Sequence, residues 1–174
     1  IVIKADGLAA GKGVVVALTE NDAHNAVDSM LSQNKFGDAG ARIVIEEFLE
    51  GEEASFIVIC DGENILPLAS SQDHKRLKNN DVGPNTGGMG AYSPAPIVSK
   101  EIHGKIMKQI IVPTIKGMKK DGIKFQGFLY AGVIVDKDKN IKTLELNCRM
   151  GDLETQPLKK KKKSDLFDIL SAAA

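Results

Sequence analysis

No stretch of this sequence stays apolar for anything near the roughly 18 residues that a membrane-crossing helix needs, so no transmembrane span is expected. No signal peptide is read at its start and no initiating Met either; the chain opens on Ile1-Val2-Ile3, which predicts a piece of something longer. An excess of one charge sign is lacking too. Lys plus Arg and Asp plus Glu are equal at 23 each, so bulk electrostatics give no reason to expect nucleic acid or a membrane surface as a partner, and any bound anion must be held locally. Cysteine is scarce. Cys60 and Cys148 both lie in apolar, strand-like runs where an unpaired thiol packs as a small hydrophobe, and a reducing, cytoplasmic setting is the simpler reading. What is present suits a globular domain: 174 residues, 43% hydrophobic and 26% charged, enough chain to bury a core.

The most informative stretch is Thr143-Leu144-Glu145-Leu146-Asn147-Cys148-Arg149. As a strand it sends Leu144, Leu146 and Cys148 to one face, read as core, and Glu145, Asn147 and Arg149 to the other. A carboxylate and an amide oxygen on one face suit a hard divalent cation, Mg²⁺ or Mn²⁺, with positions left for phosphate and water. Arg149 beside them suits phosphate or carboxylate oxygens. The alternative is a sheet with one wet face, where polar residues alternate for solubility alone.

Upstream, residues 1–4 and 14–16 read as a hairpin around Asp6-Gly7-Leu8-Ala9-Ala10-Gly11-Lys12-Gly13. Its glycines let backbone N–H groups approach phosphate and Lys12 adds charge, yet a strand follows where a P-loop has a helix, so the loop reads as a lid; a merely structural glycine loop is the alternative. Thr19 caps a helix with apolar positions Ala23, Ala26, Val27, Met30 and Leu31, stopping near Asn34, with His24 on its solvated side. A strand over 42–49 ends in Glu46, Glu47, Phe48 and Leu49, where backbone could read an adenine edge and Phe48 and Leu49 cover its ring; a charged strand end is the alternative. Glu53 opens the next strand, 54–60, and an acid there could accept from ribose hydroxyls. Asp61-Gly62 signals a hairpin into a strand over 64–70.

Residues 71–96 read as a long loop of the kind that is usually functional or disordered. It carries Gln72-Asp73-His74-Lys75-Arg76, charges suited to an anionic substrate, and Pro84-Asn85-Thr86-Gly87-Gly88-Met89-Gly90-Ala91-Tyr92, which exposes backbone amides. His74 invites a proton-transfer role, though orienting its neighbours is the commoner one. A second helix starts at Ser99 with Ile102, Ile106, Ile110 and Ile111 on one face and His103 at the surface; Pro113 either bends it or starts a new segment. Strands over 125–135 and 141–149 pair antiparallel, Ser164-Asp165 caps a last helix, and the lysines at 159–163 read as a solvated stretch with no apolar face.

Together these motifs resemble the ATP-grasp superfamily and, within it, the phosphoribosylamine-glycine ligase family. The stretches that carry the resemblance are residues 4–13, 45–53, 72–76, 83–94 and 145–149, collinear from the first residue to about Gln156. It implies an α+β ATP-grasp fold of two lobes with nucleotide between them and mainly antiparallel sheets, residues 1–50 forming a small lobe with a glycine-rich lid and 51–174 a large lobe with the metal and substrate loops. It implies a ligase that joins glycine to 5-phosphoribosylamine at the expense of ATP, giving glycinamide ribonucleotide, ADP and phosphate through a glycyl phosphate, in purine biosynthesis. Carried over residue by residue, Lys4, Gly7, Gly11, Lys12, Gly13 and Arg76 attend the nucleotide phosphates, Glu46, Glu47, Phe48 and Leu49 the adenine, Glu53 the ribose, and Asn85 a phosphate-side contact. Asp73, His74, Lys75, Gly87, Gly88, Met89, Gly90 and Arg149 attend the substrate and acyl phosphate, with Lys75 and Arg149 catalytic, and Glu145 and Asn147 hold Mg²⁺ or Mn²⁺.

Three departures qualify the resemblance. Tyr130-Ala131-Gly132-Val133 offers no carboxylate where several other ATP-grasp enzymes place a further ligand, so the metal needs Asp136, water or ATP itself. The lysines at 159–163 stand where the family has an apolar helical stretch, and Leu153 where it has Pro. The family's enzyme also has a domain before Ile1 and another beyond Ala174, which makes those domains the expected partners. An ATP-binding piece without turnover, or an ATP-grasp ligase for another carboxylate and amine, are the alternative readings.

Overall fold

The structure, a computed structural model, describes residues 1–9, 13–80 and 82–174, with the backbone alone at Pro84 and Asn85. Contacts divide the chain into two units, Ile1–Leu49 and Glu50–Ala174.

In the first unit, strands β1 (Val2–Ala5), β2 (Val14–Val16) and β3 (Ile43–Glu46) form an antiparallel sheet in the order β2-β1-β3. Helix α1 (Glu20–Leu31) begins where the Thr19 hydroxyl accepts from the Asp22 N–H at 3.1 Å and the Asp22 carboxylate accepts from the Thr19 N–H at 3.0 Å, a reciprocal cap that satisfies two of the helix's free donors. It ends before Asn34, whose φ of 52° leaves the helical region. Ala26 and Met30 on its inner face bury Ile3 of β1. The strand expected over 42–49 is shorter: β3 stops at Glu46, leaving Glu47, Phe48 and Leu49 outside it.

The second unit is built on β4 (Glu52–Asp61) and β10 (Gln126–Val135), paired antiparallel along their whole length from Glu52–Val135 to Asp61–Gln126. β5 (Ile65–Pro67) flanks β4 and β11 (Ile141–Asn147) flanks β10, giving the order β11-β10-β4-β5. Alternation sends Ala54, Phe56, Val58 and Cys60, with Leu129, Ala131, Val133 and Val135, to one face. There they pack against α2 (Lys100–Ile106), a π-helical turn (Met107–Ile111) and α3 (Val112–Lys120) through Ile102, Ile106, Ile110, Ile111 and Ile115. Pro113 has no N–H to give to the preceding turn, and the π turn lies just before it. Each fully buried Ile or Phe contributes about 1.5–3 kcal/mol by leaving water, so this isoleucine face, more than helix propensity, holds the helices in place. On the opposite face, Ile57 and Tyr130 meet Leu158 of α4 (Thr155–Lys161), and α5 (Leu166–Ala173), capped by Asp165, lies against β4 and β10. Among the described residues no helix is long and apolar enough to cross a membrane.

Several expectations are corrected. The segment 71–96 is not a structureless loop. β6 (Gln72–Asp73) pairs with β9 (Ala91–Tyr92), and β7 (Arg76–Lys78) with β8 (Val82–Asn85), so two short ladders nest one inside the other. Strands this short, broken by Gly and Pro, leave too few alternating positions to be seen as strands. Residues 64–70 hold only the short β5. In β11, Glu145 pairs with Gly132 but Thr143 pairs with Val133, which leaves Leu144 as a bulge. The extra residue breaks the alternation, so Leu144 and Leu146 do not line a common core face; Leu146 is 42% exposed and Cys148 is exposed, while Cys60 alone is the buried thiol. His103 is not a surface residue but half-buried, edge-on to Phe56 at 5.0 Å. The lysine run begins inside α4, where Lys159, Lys160 and Lys161 occupy the last turn and favour the negative end of the helix dipole.

Candidate functional site

The face of the second unit's sheet opposite α2 and α3 gathers most of its candidate residues. Reading across at one level, Gly132 of β10 pairs with Ser55 of β4 on one side and Glu145 of β11 on the other; one step along, Tyr130 stands between Ile57 and Asn147. Glu53 shares this face with Ser55. The absence of a side chain at Gly132 leaves a cradle, because a Cβ there would stand 3.2 Å from Glu145 Cγ and 3.4 Å from Tyr130 Cε1. Glu145 and Asn147 therefore do share the face expected of them, even though Leu144 beside them does not follow the alternation.

Their donor set fits a hard divalent cation: an exposed carboxylate and an amide oxygen on one sheet face. Among the described residues no group of three His, Cys, Asp or Glu could hold a metal. Asp136 does not supply a further ligand here. Its carboxylate accepts from the Asp138 and Asn140 N–H groups at 2.9 and 2.8 Å and from Asn140 Nδ2 at 2.9 Å, closing its own turn, and these bonds hold its carboxyl below the usual range. A cation held by Glu145 and Asn147 alone would keep its remaining positions for water and phosphate oxygens, as Mg²⁺ commonly does.

The nested ladders bring the second group of residues to β4. Lys75 Nζ donates to Glu53 Oε1 at 2.5 Å. Burial works to lower the Lys75 ammonium, but the Glu53 carboxylate and its hydrogen bond, with Tyr130 and Glu145 beyond, outweigh it and hold Lys75 above the ordinary lysine range. Asp73, from β6, has a buried Oδ1 with no partner. Burial raises its carboxyl above the usual range, the Glu154 carboxylate adds to this, and Lys75 opposes it. The turn Gly87-Gly88-Met89-Gly90 is tied to the same strand: His74 N–H donates to Gly90 O at 2.9 Å, Met89 N–H to His74 O at 2.7 Å, and Thr86 N–H to Lys75 O at 2.7 Å. Gly88, at φ +123°, lies so close to Asp73 that a Cβ would stand 2.9 and 3.1 Å from its carboxylate oxygens. His74 itself is exposed and tilts toward the Tyr92 ring at 5.2 Å, a place for orienting the loop. Arg76 Nη1 donates to Gly83 O at 2.9 Å, inside the β7–β8 ladder. Arg149 places its guanidinium 5.7 Å from the Tyr130 ring centroid and donates to Met150 O at 3.0 Å.

Three residues of this site had no sequence signal. Glu154 is only 4% exposed; Ser55 Oγ donates to its Oε1 at 2.7 Å and lies 2.9 Å from the Tyr130 hydroxyl. Burial pushes the Tyr130 phenol up to about 12, against the Lys75 charge.

In the first unit, Lys4 pairs with Glu46 at 2.6 Å across β1 and β3. The root of the glycine loop is pinned by Ala5 N–H to Gly13 O at 2.8 Å, Asp6 N–H to Arg42 O at 2.9 Å, and Gly7 N–H to Ala39 O at 2.9 Å, with Asp6 also paired to Arg42 Nη2 at 2.7 Å. Gly7 and Gly13 are glycine for room: a Cβ on Gly7 would stand 2.9 Å from that of Ala39, and one on Gly13 2.8 Å from that of Ala9. Phe48 is half exposed and Leu49 half-buried. Gly11 and Lys12, also expected at phosphate, lie outside the described residues; of Asn85 only the backbone, paired with Arg76, is described.

Known proteins resemble the chain over nearly its whole length. A phosphoribosylamine-glycine ligase from Ralstonia nicotianae is 65% identical over 173 residues, covering 99% of this chain and 41% of that protein. One from Salmonella typhimurium is 64% identical, covering 99% and 40%. The chain thus spans about two fifths of the length of these curated relatives. Among solved structures, the phosphoribosylamine-glycine ligase of Thermotoga maritima superposes with a TM-score of 0.76 at 36% identity, covering 91% of this chain and 40% of that one. A biotin carboxylase from Campylobacter jejuni, crystallised as a β-γ-ATP complex, shares the fold at 19% identity and a TM-score of 0.73, covering 99% of this chain and 36% of that one. The sequence model of the phosphoribosylglycinamide synthetase ATP-grasp (A) domain matches residues 1–155, and the chain belongs to that family.

Proposed function

We propose that this chain is the nucleotide- and metal-binding part of an ATP-dependent ligase that joins glycine to 5-phosphoribosylamine, giving glycinamide ribonucleotide, ADP and phosphate in purine biosynthesis. The observation that carries the reading is the shared sheet face of Glu145 and Asn147 around Gly132, in a chain of this family. The donor set suits Mg²⁺ or Mn²⁺, which when bound neutralises phosphate charge and orients nucleotide oxygens.

The rest falls to the chain's own residues. In the first unit, Lys4, Gly7, Gly13 and the loop between them attend the ATP phosphates, Lys12 included; Glu46, Glu47, Phe48 and Leu49 attend the adenine. In the second, Glu53 attends the ribose, Arg76 and Asn85 the phosphate side, and the Gly87-Gly88-Met89-Gly90 turn offers N–H groups to substrate oxygens. In the first step a carboxylate oxygen of glycine bonds to the γ-phosphorus, the bond from that phosphorus to the β-bridging oxygen breaks, and ADP departs. Lys75 and Arg149 supply positive charge to the acyl phosphate so formed. The sugar amine then bonds to the acyl carbon, phosphate leaves with the electron pair of the carbon–oxygen bond, and the nitrogen gives up a proton. Asp73, with an unpartnered buried oxygen, suits an ammonium or amine N–H. Two free thiols support a reducing, cytoplasmic location.

The test is ADP formation by the full-length protein, which requires glycine and 5-phosphoribosylamine together; dependence on another carboxylate or amine overturns the substrate reading. Because the chain spans about two fifths of its relatives, the remaining domains are the proposed partners, and these 174 residues alone are read as binding Mg-ATP without turnover.

A further inference from the structure

One buried carboxylate is left without a role by this scheme. Glu154 lies in the turn after Arg149, 4% exposed, with its carboxyl against Gly151, where no side chain could be accommodated because a Cβ would run into it. An acid this deeply placed must be paid for by hydrogen bonds, and its described side-chain partner is the hydroxyl of Ser55, itself only 2% exposed. The arithmetic of protons then fixes a direction. A carboxylate only accepts, and a serine hydroxyl has one proton. With that proton given to Glu154 Oε1 at 2.7 Å, Ser55 Oγ can only accept from the Tyr130 hydroxyl 2.9 Å away, so Tyr130 is the donor of that pair.

The consequence reaches the site. A Tyr130 hydroxyl that gives its proton inward presents only lone pairs to its other neighbours; it feels the Lys75 charge and borders the cradle over Gly132, where a Cβ would stand 3.7 Å from its oxygen. The same ring carries the Arg149 guanidinium on its face. Tyr130 thus carries Arg149 on its ring and feels the Lys75 charge, and Glu154 holds Tyr130 through Ser55.

We infer that Glu154 is a positioning residue: through the relay Tyr130 to Ser55 to Glu154 it fixes the phenol as an outward acceptor and its ring as the seat of Arg149. It touches no substrate. The inference rests on the proposed reading of Lys75 and Arg149, so its test needs one readout that depends on turnover and one that does not.

In the full-length protein, Glu154→Met removes the acceptor while keeping the volume, and Glu154→Gln keeps an oxygen for Ser55. The relay predicts that Met lowers kcat by about 10–100-fold, the range seen when an outer hydrogen-bond partner is lost, with the KM for ATP unchanged, and that Gln restores kcat to within about threefold. Tyr130→Phe falls by a similar factor, and the Met–Phe double variant is no worse than the worse single one. A residue that merely fills space would accept Met, and a merely negative one would not be rescued by Gln; either result overturns the relay, as does multiplication of the two losses. Independently of activity, the ¹³Cζ resonance of Tyr130, assigned by its loss in Tyr130→Phe, moves upfield in Glu154→Met as Ser55 turns from acceptor to donor. An unchanged resonance overturns the inference even if the ligase reading stands, and a shift supports it even if the substrates prove different. Should the Met variant fail to fold, the Gln variant and the wild-type resonance decide: donation inward places the wild-type signal downfield of a solvent-exposed tyrosine, and a signal upfield of it overturns the relay.

Discussion

Gly132 and Glu145 face one another across β10 and β11, and a Cβ built on Gly132 would stand 3.2 Å from Glu145 Cγ. That distance is short enough that any side chain at 132 must displace the carboxylate or the Tyr130 ring 3.4 Å away. Gly132→Val is expected to weaken Mg²⁺-dependent ATP binding by about tenfold, about 1.4 kcal/mol, while metal-free binding stays as it was. Calorimetric titration with and without Mg²⁺ measures both; equal losses in the two would point to general damage to the sheet.

Gly88 sets up a similar test on the substrate side. Its φ of +123° strains any side chain, and a Cβ would press on the Asp73 carboxylate at 2.9 and 3.1 Å and on Leu153. Gly88→Ala should raise the KM for the amine-bearing substrates by about tenfold, about 1.4 kcal/mol of lost binding, and leave that for ATP alone. Steady-state kinetics of the full-length protein with each substrate varied in turn separates these. A rise confined to ATP would move Asp73 out of its assigned role.

Lys75 and Glu53 are each about one third exposed, at 34% and 31% of their side chains, which places the pair between a surface ion pair and a buried one. Removing one partner leaves a half-desolvated charge, at a cost of about 1–2 kcal/mol. Urea unfolding of Lys75→Met, Glu53→Gln and the double variant checks this, the double being expected to recover part of the loss. The pair also sets a sign: with Lys75 held above its usual range in the folded state, its stabilisation is complete at neutral pH and is lost as pH rises through the folded-state value.

The two thiols should behave oppositely. Burial pushes the Cys60 thiol up to about 11 from an ordinary 9.0, the Asp61 carboxylate adding to it, while Cys148 is exposed. An alkylating reagent near pH 8 is therefore expected to modify Cys148 and spare Cys60 until the chain unfolds, read by peptide mass. The unfolded thiol ionises first as pH rises, so Cys60 takes stability away between about pH 9 and 11. Fast labelling of Cys60 in the folded protein would contradict its place under the isoleucine helices.

What the sequence made legible were the features that depend on near neighbours. The Thr19 cap, the hairpin around the glycine loop, and the pairing of Glu145 with Asn147 on one face all follow from spacing along the chain. The bulge at Leu144 does not, because a register shift is decided by which residues of β10 lie opposite. The ladders within 71–96 were hidden for a related reason, since pairs such as Gln72 with Tyr92 leave no alternation long enough to read. Glu154 was the largest omission. In the sequence it is one acid among many, and only the meeting with Ser55, 99 positions earlier, separates it from a solvated carboxylate.

On the proposed reading, Glu145 and Asn147 hold the divalent cation that fastens ATP to the second unit's sheet. Titration of ATP into Glu145→Ala at low and at saturating Mg²⁺ tests it most directly, alongside the unaltered protein. The expected result is that the metal-dependent gain in affinity disappears in the variant while its thermal unfolding stays within a few degrees. A variant whose affinity for ATP rises with Mg²⁺ as much as the parent's does would contradict this assignment.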